Sequence, residues 1–166
     1  MYFIKVFSPL IFFWLLSCSE TSFEFQQKAN YLEKLLQTET VFDGGPKWEL
    51  SDTNIKIKGY NMKFPMWCDD SGELEFVYCD VPLISIDTDM LSIPDFLPNS
   101  QGYNRMVRII IKEEFFFDDK YPNICRQAYG RRGGFAKTIK FKSQKAAYEF
   151  SKTLLFLINE SKKKEK

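Results

Sequence analysis

Residues 135–158, FAKTIKFKSQKAAYEFSKTLLFLI, decide the fold of this chain. Their first part alternates apolar and polar residues through Ile139 and Phe141, which predicts a β-strand. Ser143 is a favourable N-cap for a helix, and the apolar residues that follow it recur at helical spacing. These residues are Ala147, Phe150, Leu154, Leu157 and Ile158. The stretch therefore predicts a strand followed by a core-facing C-terminal helix that ends near Asn159.

A second amphipathic helix is predicted near the other end of the chain, from about residue 22 to 38. Thr21, with Glu24 three residues later, resembles a capping box. The apolar positions after it are spaced by three and four residues, as one helix face requires. This face comprises Phe25, Ala29, Leu32 and Leu36, and is widened by Tyr31 and Leu35.

The region between the helices changes to a period of two, which indicates strands. The change follows a Gly- and Pro-containing breaker at 43–46, and Pro65 is expected to end or edge the strand that precedes it. We expect strands at 47–50, 55–64, 74–78, 83–86, 106–117 and 135–141. The connecting segments read as a turn at 69–72, an irregular loop at 87–103 and a long polar loop at 118–134.

The order of helix, antiparallel strands and helix predicts the α+β class. We expect a bent antiparallel sheet or small barrel of about five to seven strands, with the C-terminal helix packed on it. The strand 138–141, Ser143 and the helix residues 146–150 resemble the end of a pleckstrin-homology-like barrel, in which the last helix plugs one end of a bent sheet. That family's phosphoinositide motif lies in its first hairpin and has no counterpart here, so no binding residues are carried over.

Residues 1–18 resemble the signal sequence of bacterial lipoproteins. Lys5 supplies positive charge, Val6–Leu16 is an apolar run of 11 residues with two interruptions, and Ser17 precedes Cys18. A membrane-spanning helix needs about 20 apolar residues, whereas a secretory signal needs about 7–15. The resemblance implies cleavage before Cys18 and acylation of its thiol. Plain secretion and a short membrane anchor are the alternatives.

The predicted division of the chain follows from that cleavage site. Residues 1–17 are expected to be a signal peptide and 18–21 a short lipid tether. Residues 22–160 are expected to form one domain, and 161–166 a charged tail. Two or more acyl chains anchor a protein stably, so the expected location is the bacterial cell envelope, facing the periplasm or the surface.

Charge and composition exclude several classes of function. Removal of residues 1–17 takes away Lys5 and no acid, which leaves 22 basic and 22 acidic residues. Nucleic-acid-binding proteins usually carry a basic excess, so nucleic acid is not an expected partner. The chain contains no histidine, which excludes Ser-His-Asp catalysis, histidine-ligated zinc and a histidine pH switch.

Cys68, Cys79 and Cys125 remain after the tether cysteine. If residues 69–72 form a hairpin turn, Cys68 faces about Glu73 and Cys79 lies roughly 20 Å further along the strand. A disulfide needs Cα atoms within about 7 Å. Any bridge is therefore expected to use Cys125, and the alternative is that all three cysteines are buried thiols.

The acidic pairs of the chain are more typical of turns and of solvated flanks than of a metal site or a catalytic site. Asp69-Asp70 and Asp87-Thr88-Asp89 lack the spacing of a calcium loop, and aspartate is favoured in turns. Glu113-Glu114 and Asp118-Asp119 flank an apolar run, where charges commonly oppose aggregation. We expect no metal, no cofactor and no catalytic residues.

The most distinctive loop carries Arg126, Arg131 and Arg132 among glycines 130, 133 and 134. Glycines allow backbone N–H groups to approach an anion, and arginine forks bind carboxylate or phosphate. The loop is a candidate site for an anion or a partner, or else a solvated connection. A further set of aromatic residues is expected to fill the core more than to form a surface. This set is Trp48, Tyr60, Trp67, Tyr103, Tyr121 and Tyr129.

These observations predict a lipid-anchored, non-enzymatic protein that acts through contacts with an envelope protein. One alternative is a module that binds a small ligand or lipid inside the bent sheet. Another is an immunity-type protein that inhibits a toxin.

Overall fold

A computed structural model describes residues 21–41, 54–69, 74–89, 91, 105–116, 118–120 and 136–165 of the chain. Helix α1 spans Phe23–Glu39 and helix α2 spans Gln144–Lys164. The strands are β1 (Lys56–Lys58), β2 (Asn61–Asp69), β3 (Leu74–Pro82), β4 (Met106–Ile110) and β5 (Ala136–Lys140). The strand predicted at 47–50 lies outside the described residues.

The described strands form two small antiparallel sheets. One has the order β1-β2-β3 and the other pairs β4 with β5. Two single bridges, Ile86 with Ile111 and Thr40 with Phe141, connect the segments around them. The α+β prediction is confirmed, whereas the described strands do not close into a barrel.

The strand predicted at 55–64 is instead a tight hairpin. Lys58 pairs with Asn61, so the chain reverses through Gly59 and Tyr60. Gly59 has a φ of +58°, a conformation that favours glycine and suits the first position of a two-residue hairpin turn. The continuous alternation of the sequence concealed this reversal, because each arm of the hairpin has the same period.

Strand β2 continues through Pro65 to Asp69, beyond the end predicted at the proline. β1 pairs only with residues 61–63 of β2. Among the described residues, no strand pairs with β2 at Pro65 on that side, and such an edge position is where proline is tolerated. Asp69 pairs with Leu74, as expected for a hairpin around the predicted turn.

Two strand predictions are corrected by 3-10 turns: the strand predicted at 83–86 is replaced by one, and the strand predicted at 106–117 ends early before another. Leu83–Ser85 forms such a turn after β3 extends to Pro82. The strand predicted at 106–117 stops as β4 at Ile110, and Glu113–Phe116 forms a second 3-10 turn. Backbone bonds from Asp87 N to Ile110 O (2.8 Å) and from Lys112 N to Ser85 O (2.9 Å) join the two segments. These long-range pairings, which no local pattern encodes, override the strand propensity of the apolar runs.

The predicted apolar stripe of α2 forms the centre of the core. All five of its residues, Ala147, Phe150, Leu154, Leu157 and Ile158, are fully buried. The Ser143 hydroxyl accepts from Ala146 N at 3.1 Å, which confirms the predicted N-cap. The helix continues through Lys164, beyond the end predicted near Asn159, and Ser161 is buried with its hydroxyl donating to Leu157 O at 2.8 Å. Residues 161–164 are therefore helical and not a trailing tail.

Helix α1 and its N-cap each begin one residue later than predicted. The N-cap is Ser22, whose hydroxyl accepts from Phe25 N at 3.2 Å, so the expected capping box of Thr21 and Glu24 is wrong. The predicted face is otherwise correct, with Phe25, Ala29, Leu32, Leu35 and Leu36 all buried. Tyr31 was expected on that face but is 41% exposed.

The carboxylate of Glu33 links helix α1 to strand β1, which lies at the edge of its described sheet. Its Oε1 accepts from the backbone N of Ile57 at 2.6 Å, and its Oε2 lies 3.8 Å from Lys56 Nζ. Because an edge strand presents unpaired N–H groups, the carboxylate satisfies a donor that the sheet leaves open.

We expect Glu33→Ala to lower the free energy of unfolding by about 1–3 kcal/mol, since a hydrogen bond to a charged group is lost. Glu33→Gln keeps a carbonyl oxygen that can accept from Ile57 N. Its loss of unfolding free energy should be less than half that of Glu33→Ala. Urea denaturation of the two variants measures the difference. Equal losses would contradict the assigned backbone contact.

Candidate functional site

The candidate residues chosen from sequence fall outside the part of the chain that the structure describes. This holds for the acylation candidate Cys18 and for Arg126, Arg131 and Arg132 of the glycine-rich loop. Their assignments remain predictions.

Two of the aspartates from the acidic pairs, Asp87 and Asp118, accept hydrogen bonds within local turns. Asp87 Oδ1 accepts from Asp89 N at 3.0 Å, and Asp118 Oδ1 accepts from Lys120 N at 2.9 Å. Both contacts have the form of an Asx turn. Within the described residues, no group of three or more cysteine, aspartate or glutamate side chains is placed to hold a metal ion.

Of the aromatic set, the structure describes the side chain of Tyr60. Its ring meets Phe25 edge-on, with 4.8 Å between centroids, and it packs against the core. Tyr60 therefore packs as part of the core, as predicted. The side chains of Trp48, Trp67, Tyr103, Tyr121 and Tyr129 lie outside the described part.

Cys79 is fully buried and forms a disulfide. In the β2–β3 ladder Cys79 is opposite Phe64, while Cys68 is opposite Glu75. Four positions along a strand span about 13 Å, which exceeds the reach of a disulfide. The exclusion of a bridge between Cys68 and Cys79 is confirmed, although the register differs from the predicted facing of Cys68 and Glu73 by two residues.

A groove of about 400 Å³ lies between α1 and α2 in the described part of the chain, and we call it the interhelical groove. Helix α1 contributes Gln27, Lys28 and Tyr31, and α2 contributes Glu149, Lys152, Thr153 and Phe156. The groove is partly open to solvent and lies on the outside of the packed core.

Aromatic and cationic groups share the walls of this groove. Lys28 Nζ lies 5.9 Å from the centre of the Phe156 ring, within the range of a cation–π contact. Phe156 is half-buried against the core, while Tyr31 and Lys152 are exposed. The aromatic side chains are of the kind enriched at the centres of protein interfaces, whereas the lysines and the glutamate are typical of the polar rim around such a centre.

Sequence reasoning missed the interhelical groove. The apolar stripe of α1 predicts that Tyr31 faces the core beside Leu32, and Phe156 lies inside an apolar run that gives no sign of a surface position. A cue was present: Tyr31 is spaced by four from Gln27 and by eight from Phe23, so the three share a face. The polar Gln27 on this face is the signal in the sequence, and the structure shows that the face points to solvent, with Phe23 80% exposed.

Comparison with known proteins yields no matching family model, no matching curated protein and no matching solved structure. Among the described helices, neither combines the length and the apolar character that crossing a membrane requires.

Proposed function

We propose that this chain is a lipid-anchored protein of the bacterial cell envelope, and that its folded domain binds a partner protein instead of catalysing a reaction. Residues 15–18 supply the acylation signal of this proposal. The mature chain would begin at Cys18, and its folded domain would face the periplasm or the outside.

The disulfide at Cys79 is the observation that carries the envelope location. Disulfides persist in oxidising compartments and are rare in the cytosol. The bond is thus an argument for export that is independent of the signal sequence. Because Cys68 is out of reach and an acylated Cys18 has no thiol left, the proposal implies that Cys79 pairs with Cys125.

The interhelical groove supports binding over catalysis. Tyr31 and Phe156 provide aromatic contact area, and Lys28, Lys152 and Glu149 provide charged groups at its sides. The chain has no histidine to serve as a general base. The buried phenylalanines of the core, such as Phe64 and Phe150, belong to a packed cluster, which favours an external surface over a ligand site inside the sheet.

Cross-linking in the native envelope, followed by mass spectrometry of captured proteins, tests this function. We expect one reproducible partner with the full chain. A Tyr31→Ser, Lys152→Glu double variant should reduce its yield by about tenfold or more, because loss of an aromatic anchor at an interface commonly costs more than about 1 kcal/mol. Cys18→Ser should release the protein from the membrane and also reduce the yield.

Lys145→Glu is the matched control. Lys145 is exposed on the same helix, two turns from Lys152, and does not line the groove. The Lys145→Glu variant should leave the yield of the captured partner unchanged. A partner that is captured equally with the double variant would exclude the groove, and an unacylated Cys18 in the mature protein would exclude the anchor.

A further inference from the structure

The two helices pack antiparallel, so the start of α1 lies beside the end of α2. At one end, Lys142 N donates to Glu39 O at 2.7 Å and Val41 N to Lys140 O at 2.9 Å. Further along, Lys28 stands over the Phe156 ring. The contacts join early residues of α1 to late residues of α2, and late residues of α1 to the start of α2.

This packing places Phe23 level with the last turn of α2. Phe23 precedes Lys28 by five residues and Ser161 follows Phe156 by five, which is about 7.5 Å along each helix at 1.5 Å per residue. Lys162, Lys163 and Lys164 follow Ser161 directly. We call Phe23 together with Lys162–Lys164 the tether end of the domain.

The tether end combines an apolar side chain with positive charge. Phe23 is 80% exposed. Lys163 pairs with Glu160, whereas Lys162 and Lys164 have no carboxylate partner among the described residues. Lys120 pairs with Glu165 at 3.3 Å, so these two residues add no net charge to the helix end. The arrangement suits a lipid interface, where an aromatic ring enters the head-group boundary and lysines meet anionic lipids.

The chain length before α1 holds this end near the bilayer. Phe23 follows Cys18 by five residues, which span at most about 18 Å when extended. If Cys18 is acylated, the start of α1 cannot move far from the head groups. The tether therefore brings to the membrane the same end that carries the exposed ring and the lysines.

We propose that the tether end is a membrane-contact surface, with Phe23 in the interface and Lys162–Lys164 against anionic phospholipid head groups. This inference rests on the proposed lipid anchoring. It fixes the orientation of the domain: the long axes of α1 and α2 point away from the bilayer, and the interhelical groove is displayed beside it.

Photo-cross-linking to lipid tests the surface at single positions. The photoreactive residue p-benzoylphenylalanine is placed at position 23 or, as the matched control, at position 31. Tyr31 is the other large exposed aromatic of α1 and lies about 12 Å further from the tether end. Lipid adducts are measured by mass on vesicles of phosphatidylethanolamine and phosphatidylglycerol.

The test is run on two forms of the mature chain. One is the acylated protein. The other is a Cys18→Ser chain that has a histidine tag in place of residues 1–17 and is held on the same vesicles by a nickel-chelating lipid. The second form supplies the tether without acylation. If Cys18 is not acylated in cells, the proposed function fails while the tagged form still reports on the surface.

We expect lipid adducts at position 23 to exceed those at position 31 by about fivefold or more, and to fall by a similar factor on phosphatidylcholine vesicles. Lys162→Gln, Lys163→Gln and Lys164→Gln together should cause the same fall. The matched triple Lys34→Gln, Lys58→Gln and Lys145→Gln removes three exposed lysines elsewhere and should not. Equal adducts at positions 23 and 31, or protein adducts replacing lipid at position 23 in the native envelope, would overturn the proposal.

Discussion

Replacement of Phe150 by alanine should lower the free energy of unfolding by about 3–5 kcal/mol, the usual cost of truncating a buried phenylalanine. Phe150 is fully buried in the first half of α2. Its ring lies 5.1 Å from that of Phe141, between centroids. Phe141 in turn bridges to Thr40 at the end of α1. Phe150 thus supports the junction where α2, the end of β5 and α1 meet.

The expected loss is large beside the total stability of about 5–15 kcal/mol that is typical of a domain. Urea denaturation followed by circular dichroism measures it. Phe156→Ala is the matched control, because it makes the same chemical change on the same helix at a half-buried position in the groove wall. We expect a loss of about 1 kcal/mol there. Similar losses at Phe150 and Phe156 would contradict the central role of Phe150.

The two helices could be predicted from the sequence because their cues are local. Ser143 caps α2 as expected, and the stripe from Ala147 to Ile158 faces the core. Each cue is a side chain whose effect depends on neighbours within one or two helical turns. The strands predicted at 74–78 and 135–141 correspond to the start of β3 and to β5, since alternation over several residues is equally local.

The errors in the prediction arose where distant contacts decide the structure. The hairpin at Gly59 preserves the alternation that suggested one strand, so only pairing with β2 reveals it. Ile86 and Ile111 meet across a sequence separation of 25 residues, and that bridge replaces strand with 3-10 turns on both sides. The interhelical groove depends on how two helices pack, which places Tyr31 in solvent although its neighbour Leu32 is buried.

Replacement of Cys79 by alanine should lower the free energy of unfolding by about 4 kcal/mol. If the partner is Cys125, the bridge closes a loop of about 45 residues, and the entropy that it removes from the unfolded chain corresponds to about that value. Cys79 is fully buried, so loss of the sulfur from the core adds a smaller term. The variant is measured by urea denaturation without reductant.

The cysteine variants also identify the partner. Cys125→Ala should cost nearly as much as Cys79→Ala, and the double variant little more than either, because both remove the same bond. Cys68→Ala should leave most of the stability intact, since the β2–β3 register keeps Cys68 about 13 Å from Cys79. Dithiothreitol should lower the stability of the unmodified protein to that of Cys79→Ala. A large loss with Cys68→Ala, or no effect of the reductant, would contradict the disulfide and would remove the main structural support for export to the envelope.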